Sequence, residues 1–152
     1  MLNIVLIEPE IPNNTGNIGR LCVGMGCRLH LVHPLGFRIT DTAVKRAGLD
    51  YWPHLDLHEY ANVEHWLASV PDRSRVFLLS AKSSVPYYEA NFQKGDWLVF
   101  GKESVGLDTK VMEKFVNHLR IPKSPLIRSY NIANSVAFVV GEARRQIGFS
   151  DL

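Results

Sequence analysis

What most narrows the fold of this chain is a recurrence. Short apolar runs of strand-forming residues alternate with stretches of helical spacing. LNIVLI (Leu2–Ile7), RVFLLS (Arg75–Ser80) and DWLVFG (Asp96–Gly101) carry apolar side chains at consecutive positions. Such strands need cover on both faces, as in a parallel sheet flanked by helices. RLHLVH (Arg28–His33) and HLRI (His118–Ile121) read as further strands, the second stopped by Pro122. Helical spacing predicts a helix from about Thr15 to Met25, with Ile18, Leu21, Cys22 and Met25 on one face. Others are predicted over Ala61–Val70, near Asp41–Ala47, from an Asp108 cap to about Phe115, and from Asn131 to Ile147. Strands alternating with helices give an α/β fold, a parallel sheet with helices on both faces. At 152 residues the expectation is one domain over 1–152.

Composition sets outer limits. Apolar residues make up 46% and charged residues 21%, which is ordinary globular usage and argues against disorder. The longest apolar run in the final helix, VAFVV, falls far short of the roughly 20 residues of a membrane span. The N-terminus lacks a basic region and cleavage motif, so a cytoplasmic protein without a membrane partner is expected. A formal charge of +2 and a pI of 8.6 permit nucleic acid without arguing for it. Cys22 and Cys27 sit five apart in a predicted helix, a spacing that suits neither zinc nor a redox pair. Buried free thiols are expected. The six histidines fall at no metal-binding spacing, so no metal is expected.

In open parallel sheets ligands bind beyond the carboxyl ends of the strands. The unusual residues gather in three segments after strands: PNNTGNIGR, FGKESVGL and IPKSPLIRSYNIANS. The first is read as a loop, and it offers only Gly16-x-x-Gly19, too little for a dinucleotide fingerprint. In the second, Gly101-Lys102 is followed by Glu103, and Gly95 lies one residue too far upstream for a P-loop. A strand-end glycine followed by a carboxylate suits a neutral or cationic ligand better than a phosphate. In the third, helix capping accounts for one of Ser129 and Asn131, but not for Arg128, Ser129, Asn131, Asn134 and Ser135 together.

Taken in order, these segments resemble the three motifs of the SPOUT class of AdoMet-dependent RNA methyltransferases, in its SpoU (TrmH-like) branch. The resemblance runs through EPEIPNNTGNIGR, HPLGF, KRAGLDYW, LVFGKESVGL and RIPKSPLIRSYNIANSVAFVVGEARRQ. With no added RNA-binding domain, the chain is most similar to the minimal YibK/TrmL group of tRNA (cytidine/uridine-34) 2′-O-ribose methyltransferases. The resemblance implies an α/β knot, in which the C-terminal part forms a deep trefoil knot around an S-adenosyl-L-methionine pocket. It implies a homodimer through the C-terminal helix, with residues borrowed across the interface. The implied substrate is the wobble nucleotide of tRNA, in leucine isoacceptors. Other SpoU-type enzymes use the same motifs at other tRNA or rRNA positions, and a non-catalytic RNA-binding homologue is the third possibility.

Carried over residue by residue, the resemblance implies a cofactor pocket lined by Leu79, Gly101, Glu103, Ile121 and Ser129. Leu79 and Ile121 are equally readable as core residues of any α/β fold. Arg20, ending the first motif, is implied at the 2′-oxygen, with Asn14 or Asn17 and Asn131 orienting the ribose or bracing the arginine. A guanidinium with pKa above about 12 is a poor base, so phosphate contact and support of the developing alkoxide suit Arg20 better. Lys82 and Arg128 read as phosphate contacts. Lys45 and Arg46, beside Tyr51 and Trp52, read either as a nucleotide clasp or as packing of the aromatic pair onto the sheet. Ile132, Val136, Val139, Ala143 and Ile147 form an apolar stripe, and Ala133, Ala137 and Gly141 a row of small residues. Gly141 departs from the resemblance, where tyrosine is usual.

Overall fold

The computed structural model describes residues 1–40, 42, 44, 46 and 50–152. The short helix expected near Asp41–Ala47 falls across the remaining positions; Lys45 is one of these, and both lie outside the described residues. Six strands form one sheet: β1 (Leu2–Ile7), β2 (Cys27–Val32), β3 (Leu57–Tyr60), β4 (Val76–Leu79), β5 (Trp97–Phe100) and β6 (Asn117–Leu119). Their order is β3-β2-β1-β5-β4-β6, with every pairing parallel. The helices that lie wholly within the described residues are α1 (Pro12–Met25), α2 (Val63–Ser69), α3 (Thr109–Met112) and α4 (Ile132–Ile147).

Because side chains alternate along a strand, each buried strand feeds two cores. Leu2, Ile4 and Leu6 of β1 join Leu29, Leu31, Leu98 and Phe100 beneath Ile18 and Cys22 of α1 and Val136, Val139, Val140 and Ala143 of α4. Val5 and Ile7 join Val32, Val76, Leu78, Trp97 and Val99 against Trp66 and Leu67 of α2 and Val111 and Phe115 around α3. The expected stripe on the last helix is thus the face that meets the sheet and α1. Cys22 and Cys27 are buried free thiols, and burial raises both, Cys27 to about 11.

Several boundaries differ from the sequence expectation. The segment read as a loop, PNNTGNIGR, is helical throughout: α1 starts at Pro12, three residues before Thr15. Proline costs nothing at the first helical position, where its missing N–H has no intrahelical partner. The strand before the third segment is Asn117–Leu119 instead of His118–Ile121, which leaves Ile121 in the segment that follows it. α3 is a four-residue helix capped by the Asp108 side chain, which accepts from the Lys110 N–H; Phe115 is buried beyond it through turns. β3 was not anticipated.

Two of the buried polar side chains, His30 and Arg144, bear on how the frame is held. His30 is buried, with Nδ1 2.9 Å from the Tyr60 hydroxyl and Nε2 2.9 Å from Asn3 Oδ1. Burial, with His58 nearby, pushes its pKa down to about 3. Arg144, fully buried on α4, sends Nε and Nη2 to the Met25 carbonyl at 2.9 and 2.6 Å, Nη2 also to the Gly26 carbonyl at 3.3 Å, and Nη1 to Asp151 at 2.6 Å. The guanidinium therefore sits at the negative end of α1 and ties the C-terminal residues to it.

Candidate active site

β1 is flanked by β2 on one side and β5 on the other, and the chain leaves β1 and β5 in different directions. A crevice opens at such a switch point. Beyond it lies a cavity of about 490 Å³, lined by residues 79–82 after β4, 100–107 after β5, Ile121, Lys123, and 128–132 leading into α4, with Ile11 and Asn14 from the start of α1. Leu79, Phe100, Leu107, Ile121 and Ile132 supply apolar wall; Ser129 and Asn131 supply polar groups.

The loop after β5 closes tightly on itself. The Lys102 and Gly106 N–H groups each donate to the other's carbonyl, at 3.2 and 2.9 Å. A Cβ on Gly101 would stand 2.2 Å from the Gly106 carbonyl carbon and 2.3 Å from the Leu107 nitrogen, so backbone crosses where a side chain would be. Gly101 is required by this crossing before any ligand is considered.

A reciprocal clasp joins this loop to α1. The Glu103 carboxylate accepts from the Glu10 N–H at 2.9 Å and the Ile11 N–H at 3.1 Å. In return Glu10 accepts from the Ser104 N–H at 3.0 Å and hydroxyl at 2.7 Å, which holds the Glu10 carboxyl below its usual pKa. Ile11, the cap residue of α1, has no side-chain acceptor of its own; the distant carboxylate binds its N–H and that of Glu10, which places a negative charge beside the positive end of the helix. Each Glu103 oxygen has a second lone pair to offer a hydroxyl in the cavity.

The third segment is tied in as well. Asn131 caps α4 by accepting from the Ala133 N–H at 2.8 Å, and its amide donates to Asn14 Oδ1 at 3.0 Å. Arg128 donates to the Ser104 carbonyl at 3.1 Å. Tyr130 donates to the Pro122 carbonyl at 3.0 Å. The expected residues Asn14, Leu79, Lys82, Gly101, Glu103, Ile121, Arg128, Ser129 and Asn131 thus line one cavity. Arg20 and Arg46 do not: both are exposed, and Arg20 lies over the Tyr51 ring at 5.2 Å. Sequence reasoning missed Glu10, Ser104 and Lys123. Glu10, an acidic residue just ahead of a helix start, carried a readable signal. Among the described residues no three of His, Cys, Asp or Glu are grouped to hold a metal, and no helix is long and apolar enough to cross a membrane.

The geometry agrees with comparison to known proteins. The model of the SpoU rRNA Methylase family matches residues 1–141, and the chain belongs to that family. Within it, the chain is 44% identical over 152 residues to the tRNA (cytidine(34)-2′-O)-methyltransferase of Burkholderia ambifaria, covering 98% of this chain and 97% of that one. It is 48% identical to the protein of the same name in Polaromonas sp., covering 99% and 93%. A solved structure described as giving insight into 2-OH methylation of C/U34 on tRNA superposes with a TM-score of 0.92 at 45% identity, over 96% of this chain and 95% of that one. The AdoMet-bound rRNA methyltransferase of Sinorhizobium meliloti shares the fold, with a TM-score of 0.88 at 21% identity over 97% and 57%.

Proposed function

We propose that this chain is a tRNA 2′-O-ribose methyltransferase that uses S-adenosyl-L-methionine and modifies the wobble nucleotide 34, a cytidine or uridine, of leucine isoacceptors. The observation that carries the reading is the cavity itself: three strand-end segments converge on it and hold one another through Glu103, Arg128 and the Asn14–Asn131 pair. AdoMet suits this lining. The cavity lies within the roughly 300–1,000 Å³ of small-molecule sites. Its apolar walls suit an adenine face, and strand-end backbone groups suit adenine's polar edge. Leu79 and Ile121 would cover the base, and Gly101, Glu103 and Ser129, which line the same cavity, would hold the rest of the molecule.

When bound, AdoMet supplies a methyl group already activated by its sulfonium. The protein's part is to align the ribose 2′-oxygen and to ease loss of its proton. Asn14 and Asn131, fixed against each other, orient the ribose. Arg20 holds a substrate phosphate and stabilises charge developing on the oxygen. Lys82, Arg128 and Arg46, with Lys45, contact further phosphates. On this reading the C-terminal part of the chain is threaded as a deep trefoil knot, and a second copy docks on the outward face of α4. Two facts support the dimer: Ala137 and Phe138 are exposed there, and Arg20 stands outside the cavity of its own chain. Nothing lies within 4 Å of a Cβ at Gly141, so the missing tyrosine leaves open space in the single chain.

The test is incubation with labelled AdoMet and unmodified tRNA, followed by mapping of any 2′-O-methyl group. Transfer to nucleotide 34 is expected. Absence of AdoMet binding in calorimetry refutes the reading. Transfer elsewhere moves the site but keeps the chemistry, and binding without transfer to any RNA indicates a non-catalytic homologue. Arg20→Ala is expected to abolish transfer while sparing AdoMet affinity.

A further inference from the structure

We infer that Tyr51 is a positioning residue for Arg20, setting the guanidinium where it meets the substrate; this rests on the role of Arg20 proposed above. Arg20 Cζ lies 5.2 Å from the centre of the Tyr51 ring. An aromatic face attracts a guanidinium without using its N–H groups, whereas a carboxylate would occupy two of them. Among the described residues that ring is the recorded partner of Arg20. All five donors therefore remain for an oxygen-rich ligand such as a ribose phosphate.

The ring is held in place by its neighbours. The Tyr51 carbonyl accepts from the His54 N–H at 2.9 Å, and that of Trp52 from the Leu55 N–H at 3.1 Å, closing a 3-10 turn over Trp52–His54. This turn docks on α1 at Gly19. A Cβ there would lie 3.0 Å from Trp52 Cζ3 and 3.3 Å from Leu55 Cδ2. The bare position immediately before Arg20 thus seats the tryptophan, and the seated tryptophan delivers the adjacent tyrosine to the arginine. Trp52 packs; Tyr51 orients.

The test compares methyl transfer to tRNA by wild type, Tyr51→Leu, Tyr51→Phe and Arg20→Ala. Tyr51→Leu is expected to lower kcat about 3- to 30-fold while AdoMet affinity stays within about twofold. Tyr51→Phe, which keeps the ring face, restores most of that rate. A wild-type kcat in Tyr51→Leu, or a Tyr51→Phe enzyme as slow as Tyr51→Leu, overturns the inference and leaves the role of Arg20 standing. An Arg20→Ala enzyme with wild-type kcat overturns that role and the inference with it. The wild-type protein gives a readout independent of activity and of variant folding: nuclear Overhauser contacts between the Arg20 side chain and the Tyr51 ring are expected, and their absence overturns the inference.

Discussion

Replacing Arg144 with methionine probes the strongest buried polar arrangement in the fold. Methionine keeps most of the apolar stem, so the perturbation falls on the guanidinium. The variant removes the donors to the Met25, Gly26 and Gly148 carbonyls and to Asp151. A hydrogen bond to a charged group contributes about 1.5–3 kcal/mol, and a buried carbonyl left unmatched costs about 1–3 kcal/mol. Asp151, partly exposed, returns to water and offsets part of this. The net loss is about 3–5 kcal/mol, a large fraction of the roughly 5–15 kcal/mol that stabilises a typical domain. In urea, with m about 2 kcal/mol/M, the midpoint falls by about 2 M. Circular dichroism at fixed protein concentration measures it, since association would otherwise shift the midpoint. A midpoint change below about 0.5 M at constant m refutes the assignment of Arg144 as the clamp on the end of α1.

Other outcomes follow from the same geometry. His30 has its pKa lowered in the fold, so the unfolded chain takes up the proton first as pH falls. Its contribution is intact above about pH 6.5 and is lost from there toward about pH 3; at pH 5 the loss is about 2 kcal/mol. Denaturation of wild type beside His30→Asn at pH 7 and pH 5 reads this, and equal pH dependence refutes it. Glu103→Ala frees the Glu10 and Ile11 N–H groups and loosens the joint between α1 and the β5 loop; calorimetry is expected to show AdoMet affinity about tenfold weaker. Gly101→Ala forces the crossing backbone of Gly106 and Leu107 apart and costs about 3 kcal/mol in urea denaturation, with loss of AdoMet binding. A fully stable, binding-competent Gly101→Ala protein contradicts the crossing.

β1, β4 and β5 were legible because strands buried on both faces need unbroken apolar runs. β3 escaped notice because it is an edge: in LHEY only Leu57 and Tyr60 are partly covered, and His58 and Glu59 face solvent. The start of α1 was misread because its asparagines and glycines are weak helix formers. What holds the entry to it is Glu103, 92 residues away from Ile11, and no local pattern announces such a partner. The rule that ligands sit beyond strand ends pointed to the loops, and the family resemblance supplied Leu79 and Gly101, which line the cavity. The reciprocal role of Glu10 and Glu103 did not follow, because a sequence shows charges but not which backbone groups they meet. Arg144 was likewise invisible: it follows Val136, Val140 and Ala143 on a buried face, where an arginine is expected to turn outward.

The place of β1 between β2 and β5 governs how the chain comes into being. During synthesis the first six-residue strand emerges early and finds β2 soon after, yet its other edge pairs with residues 97–100. Until those leave the ribosome, one flank of Leu2–Ile7 stays unpaired, and Val5 and Ile7 lack the covering that Val76, Leu78, Trp97 and Val99 later supply. Any nascent fragment ending before Trp97 exposes an apolar edge suited to pairing with another chain. Completion of β5 is the event that closes this edge.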